Sequence, residues 1–403
     1  MPTEGMRRCR HFWVTVHLWL GLSAGAALVL IGLAGSILVF WPEIDEWLNP
    51  HLLQVEPHRD GQSSFFPIDD IWAAVMQAMP PGSKPTSAYY PRHDAVAYHF
   101  NVLVPSVPEP QTRVDFSLHH VFVNPYTGTV TGVRLVRPAG WAGMFPRTFI
   151  EFVFGVHYAL LLPRTGDPPF GDTVVGILGL TLIISLCSGM YLWWTTGGPW
   201  RSALTINWQA HIRRVNFDMH KAAGLACLCV LLGLFVSGVY LNLPRPFHSV
   251  VRIVSPTIDR VELQSRVPAS PQPISLGHVV DIVRARLPEG RIDRLYFPRK
   301  PTGTYTICHK NIEGLSLFLT RRCVVIDQYS GEILHIESPD HGTVGEYFIQ
   351  WQWPFHSGQA FGLTGRWVVF VAGLICPVLF GTGFYLWWRK RVGRIRGRSM
   401  GSL

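Results

Sequence analysis

The chain has 403 residues, 48% of them hydrophobic and only 15% charged, with a mean hydropathy of +0.20. That balance belongs to a membrane protein and excludes an ordinary soluble domain. The net charge of +9 gathers at the ends of apolar runs, where it acts as a topology signal and argues against nucleic-acid binding.

Arg7, Arg8 and Arg10 precede the first apolar run, 17–41. It exceeds a signal-peptide core and no small-residue cleavage site follows, so residues 1–41 read as an uncleaved signal anchor and first membrane helix. An outward domain, 42–148, comes next. Its signals are a helix over Asp69–Met79, strands over Ala95–Val104 and Phe116–Val123, a turn at Asn124–Gly128 and a strand over Thr129–Leu135. Segment 149–195 opens with Phe149–Leu162, which carries His157. That stretch is too short to cross a roughly 30 Å hydrocarbon core and is expected to be interfacial; the second span, 173–194, follows it.

A basic link, 196–219, leads to the third span, 220–243. The second outward domain, 244–343, repeats the order of the first. It has a helix over Leu276–Leu287 and strand-like runs over Arg294–Phe297, Thr304–His309, Leu315–Leu319 and Val324–Asp327. A turn at Asp327–Gly331 then leads into Glu332–Ile336. Segment 344–388 holds His356 and the fourth span, 366–388, and a basic tail, 389–403, ends the chain. The positive-inside rule places both termini and the link in the cytoplasm and both α+β domains in the periplasm.

Four of the seven cysteines, Cys187, Cys227, Cys229 and Cys376, lie in the spans as small packing residues. Cys308 and Cys323 share the second outward domain, as a disulfide or as two core thiols.

The chain is written twice. His17, Gly21 and Gly35 recur as His220, Gly224 and Gly238, an offset of 203 residues. The same offset relates Asn124, Tyr126 and Gly128 to Asp327, Tyr329 and Gly331. The return spans both end in Gly-x-Tyr-Leu-Trp-Trp, at Gly189 and Gly383, and each follows a histidine, His157 or His356. Two parallel repeats related by an axis along the membrane normal bring His17 to His220 at the inner side and His157 to His356 at the outer side.

Histidine at membrane depth is a functional signal, although a single one is more often a hydrogen-bonded packing residue. Two imidazoles at each level suit the axial positions of a b-type haem. They leave a tetrahedral zinc site incomplete, and the spans lack the acids of a proton relay. No C-x-x-C-H is present, which excludes covalent c-type attachment. Gly21, Gly224, Gly155 and Gly358 are candidates for close approach to a flat macrocycle. Arg164 and Arg366 outside, and Arg213, Arg214 and Lys221 inside, are candidates for its propionates or, equally, interfacial snorkels. His211 is a second inner candidate, as ligand or propionate partner. The remaining histidines have no repeat logic and are expected to be solvated or locally hydrogen-bonded.

From His17 to Trp388 these motifs resemble the PepSY-associated transmembrane family, which includes bacterial inner-membrane iron reductases of siderophore uptake. Helix-then-strand modules closed by an Asx-x-Tyr-[Ser/Thr]-Gly turn are similar to PepSY domains. The resemblance implies an oxidoreductase with two non-covalent haem b groups that reduces periplasmic ferric siderophores and releases ferrous iron. No G-x-G-x-x-G follows a strand, so the electron donor is another molecule, cytoplasmic or a quinol. The competing readings are a membrane-anchored partner-binding or regulatory protein and a siderophore or metal transporter.

Overall fold

A computed structural model of the chain describes residues 4–57, 65–106, 115–164, 166, 168–195, 199–258, 263–310, 322–338 and 342–400. The first half contains α1 (Glu4–Leu38), α2 (Trp41–Leu48), α3 (Pro50–Leu53), α4 (Ile68–Ala78), β1 (Lys84–Tyr89), β2 (Tyr98–Pro105), β3 (Phe116–Val123), β4 (Val130–Arg137), α5 (Phe149–Ala159) and α6 (Phe170–Trp194). The second contains α7 (Trp200–Ala203), α8 (Ile212–Ala226), α9 (Leu228–Asn242), α10 (Pro244–Val251), α11 (Leu276–Arg286), β5 (Arg291–Tyr296), β6 (Thr304–Lys310), β7 (Arg322–Asp327), β8 (Ile333–Glu337), α12 (Val344–His356) and α13 (Gly362–Met400). They form two compact units, one of Met1–Phe40, Val153–Phe247 and Gln352–Leu403, the other of Trp41–Phe152 and His248–Trp351.

In the first unit, α1, α6 and the stretch Gln359–Val392 are long and apolar enough to cross a membrane. The third expected span is not one rod: α8 and α9 qualify only together and meet at a 61° bend. The break falls at Cys227, whose N–H bonds the Ala223 and Leu225 carbonyls. No proline or glycine flanks it, so hydropathy gives no warning of it.

Small residues set the helix contacts, as expected where lipid offers no hydrophobic drive between helices. A Cβ on Gly32 would lie 2.9 Å from Cys376 Sγ, and one on Gly25 would lie 2.7 Å from the Phe380 ring, so α1 runs antiparallel to α13. Gly176 and Gly179 meet Leu243 and Val239, so α6 runs antiparallel to α9. The short apolar helix expected around His157 is α5.

In the second unit the segments 42–148 and 244–343 do not build separate domains. They share one antiparallel sheet in the order β4-β3-β2-β1-β5-β6-β7-β8. The join is β1 to β5, with Ser87, Ala88 and Tyr89 opposite Tyr296, Leu295 and Arg294. Pairing these strands removes two exposed edges and lets α4 and α11 cover one continuous core, which includes Ile71, Val75, Phe100, Val279, Val283, Leu295 and Ile326.

Strand β1 escaped the sequence reading because Lys-Pro-Thr-Ser-Ala-Tyr has little β-propensity. Its Pro85 is tolerated at a register shift between Pro85 and Ser87. The two Asx turns form as expected: Asn124 Oδ1 accepts from Tyr126 N–H at 2.9 Å, and Asp327 Oδ1 from Tyr329 N–H at 2.8 Å. Gly128 and Gly331 supply the left-handed residue, at φ 68° and 74°. Leu315–Leu319 lies outside the described residues. Cys308 and Cys323 face each other on β6 and β7 and are disulfide-bonded.

The other sheet face carries a cross-strand stack that buries His99 and His120. Arg294 lies 4.2 Å over Tyr89, Tyr89 stacks on His99 at 5.2 Å, His99 meets Phe122 at 5.0 Å, and Arg134 lies 5.2 Å over Phe122. Burial pushes His99 down to about 3, reinforced by the Arg134 charge. His248 and His309 are also buried and are hydrogen-bonded as expected, His248 Nδ1 to Thr257 Oγ1 at 2.9 Å and His309 Nδ1 to the Glu289 carbonyl at 3.1 Å.

Arg134 forms a two-pronged pair with buried Asp45 at 2.8 and 2.9 Å. Removing one partner strands a buried charge, so Arg134→Met is expected to cost about 3–5 kcal/mol. Asp45→Leu with Arg134→Met should recover most of that loss. Denaturant unfolding of the full protein in detergent measures both, and equal stability of the single and double variants would refute the expectation.

Candidate functional site

The four histidines singled out by the repeat meet as two pairs inside the first unit. The rings of His17 on α1 and His220 on α8 have centroids 6.1 Å apart. The rings of His157 on α5 and His356 on α12 are 5.8 Å apart. Gly35, which touches His157, stands 18 residues after His17 on α1, a rise of about 27 Å. The pairs therefore sit near opposite ends of a bundle as long as a bilayer core is thick. An apolar cluster including Leu28, Leu231, Leu234, Ala372 and Cys376 fills the interior of this unit.

Each ring is held through Nδ1. His17 Nδ1 lies 2.9 Å from the Ser185 carbonyl and 3.0 Å from Ser188 Oγ. His220 Nδ1 lies 3.1 Å from the Leu379 carbonyl and 2.9 Å from Thr382 Oγ1. His157 Nδ1 is 2.9 Å from the Ile31 carbonyl. A carbonyl only accepts, so these three rings carry their proton on Nδ1. His356 Nδ1 is 2.8 Å from Ser237 Oγ, whose own proton goes to the Gly233 carbonyl at 2.7 Å. His356 therefore donates as well. All four rings present Nε2 as a neutral lone pair, the state a metal ligand requires.

Four glycines make room for the rings. A Cβ would lie 2.9 Å from His17 Cε1 at Gly189, 2.9 Å from His157 Cε1 at Gly35, 3.3 Å from His220 Cε1 at Gly383 and 3.5 Å from His356 Cε1 at Gly238. These glycines stood out in sequence only as marks of repetition. At three of them the use was signalled by the residue before, since Ser188, Thr382 and Ser237 are the hydroxyls that meet the rings.

A cavity of about 660 Å³ opens beside the first pair, lined by His17, Gly21, His220, Gly224, Trp193 and Trp387, a volume suited to a cofactor-sized molecule. A Cβ on Gly21 would meet nothing within 4 Å, so Gly21 borders open space. Arg10, Arg214, Lys221 and Lys390 also line the cavity, giving it a cationic rim. Arg214 and Lys221 share buried Asp218 at 3.0 and 3.1 Å. In sequence Arg10 and Lys390 were read only as topology signals at the ends of the spans.

Other expected participants have local duties. His211 caps α8, its Nδ1 accepting from Arg213 N–H at 3.3 Å, and it belongs to neither pair. Arg164 holds Asp172 with contacts of 2.7 and 2.8 Å. Arg366 donates to the Val39 carbonyl at 2.8 Å and lies 4.5 Å over Phe40. Gly358 is a turn residue at φ 73° packed on Gly365; it gives no room to a ring. Among the described residues no group of three or more His, Cys, Asp and Glu could hold a metal ion.

No curated protein matches the chain. A family model described as the PepSY-associated TM region matches residues 14–390, which takes in all four histidines, every span and both halves of the sheet. The chain is a multi-pass membrane protein and belongs to the PepSY-associated TM family.

Proposed function

We propose that each histidine pair holds one b-type haem, non-covalently, and that the protein is an inner-membrane oxidoreductase. It would pass electrons from a cytoplasmic or quinol donor to periplasmic ferric siderophores. The observation that carries this reading is the spacing of paired rings with Nε2 left as the lone pair. A metal–nitrogen bond is about 2 Å and a ring centroid lies roughly 1 Å behind its nitrogen, so two imidazoles on one iron stand roughly 6 Å apart. The observed 6.1 and 5.8 Å fit that requirement.

Bound there, haem supplies one-electron chemistry that no side chain of this chain offers. The residues do the rest. Helix carbonyls fix three of the tautomers and Ser237 Oγ the fourth, the glycines admit the rings, and the apolar interior keeps water away. Arg10, Arg214, Lys221 and Lys390 offer cations to two carboxylates at the cavity mouth. Two parallel repeats explain why His17 and Ile31 recur as His220 and Leu234 at one offset. The basic ends of the spans support cytoplasmic termini. Family membership supports the siderophore substrate, since ferrous iron binds hard oxygen chelators weakly.

The test is optical. Protein purified from haem-replete cells is expected to show a Soret band and a reducible α-band, with a pyridine haemochrome count of two per chain. After reduction, addition of a ferric hydroxamate should reoxidise it while a ferrous chelator captures the iron. A colourless protein would sink the reading in favour of a partner-binding membrane module.

A further inference from the structure

We infer that Ser188, Thr382 and Ser237 are positioning residues that set the donor strength of His17, His220 and His356, and that His157 is set apart because Ala34 occupies the fourth hydroxyl position. This rests on the haem reading above. At each ring a helix carbonyl stands three residues before the position that precedes the ring-contacting glycine. These carbonyls are Ser185 before Ser188, Leu379 before Thr382, Leu234 before Ser237 and Ile31 before Ala34. Three of these positions carry a hydroxyl and the fourth carries a methyl.

Each hydroxyl has already given away its proton. Ser188 donates to the Ser185 carbonyl at 2.6 Å, Thr382 to the Val378 carbonyl at 2.6 Å and Ser237 to the Gly233 carbonyl at 2.7 Å. Toward the ring it can therefore only accept. Ser36, the next hydroxyl after Ala34, sends its proton to the Phe370 carbonyl at 2.8 Å and makes no substitute. The Ile31 carbonyl is the acceptor of His157 Nδ1. An acceptor on Nδ1–H raises imidazole basicity, which favours oxidised iron on Nε2. The first pair thus carries two hydroxyl acceptors and the second pair one.

Redox titration of the full, haem-loaded protein, with the two haems resolved by electron paramagnetic resonance, tests this. Ser237→Ala is expected to raise the midpoint potential of the haem at His157 and His356 and leave the other in place. Ser188→Ala and Thr382→Val should raise the potential of the haem at His17 and His220 and leave the one at His157 and His356 in place. Ala34→Ser, which adds an acceptor, is expected to lower the potential at His157 and His356, and Ser237→Thr should keep the parent value. Loss of that one haem from Ser237→Ala, with retention in Ser237→Thr, also supports the assignment. Unchanged potentials and spectra in haem-loaded variants overturn it, as does an equal shift of both haems in any one variant. A colourless parent protein removes the haem reading itself, which is a distinct result.

Discussion

Alanine at His17 or His220 is expected to remove one of two haems and leave the other intact. Alanine at His157 or His356 should remove the other one. The pairs lie about 27 Å apart by helix rise, and no ring of one pair touches a ring of the other among the described contacts. The pyridine haemochrome count should therefore fall from two to one in each single variant. His17→Ala with His220→Ala should match either single change, because one lost axial ligand already opens the site. His17→Ala with His356→Ala should be colourless. His211→Ala is the control: that ring caps α8 and its loss should leave both haems in place, with a capping cost of about 1 kcal/mol. Retention of both haems by all four single histidine variants would refute the ligand assignment.

The second large effect concerns residues that carry no chemistry. Gly189→Val and Gly35→Val each push a side chain to within 2.9 Å of a ring carbon. Real carbon atoms do not approach that closely, so the ring must leave its hydrogen bond or the helices must part. Overpacking of this kind costs about 1–3 kcal/mol in stability. At this site the larger consequence is displacement of a ligand. Gly189→Val is expected to lose the haem at His17 and His220, and Gly35→Val the one at His157 and His356, with every histidine still present. Gly238→Ala, whose Cβ would stand 3.5 Å from His356 Cε1, an ordinary contact, should keep both. Equal haem content in Gly189→Val and Gly238→Ala would show that the close approach has no role.

Much of this molecule could be read in one dimension because its signals are periodic or duplicated. An apolar run of spanning length declares itself, and two Asx-Gly turns at one offset declare a repeated strand pair. The four histidines were legible for the same reason. What escaped reading was aperiodic. Strand β1 is built from residues that suit a turn as well as a strand, and it becomes a strand because β2 and β5 lie on either side. Nothing in residue order set His99 apart from the other unpaired histidines until the sheet closed Tyr89 and Phe122 about it. Arg164, a candidate for a propionate, meets Asp172 only eight residues away.

By itself, the sequence determined the number of apolar runs, the duplication and which histidines belong together, since hydropathy and repetition are properties of residue order. Tertiary structure alone decided three things. It merged the two α+β segments into one sheet, because unpaired strand edges find partners in space and not along the chain. It broke the third span at Cys227, with a 61° bend between α8 and α9 inside one apolar run. It also fixed which nitrogen each histidine offers, because a tautomer is set by the acceptor across the helix interface, and for His17 the Ser185 carbonyl is 168 residues away.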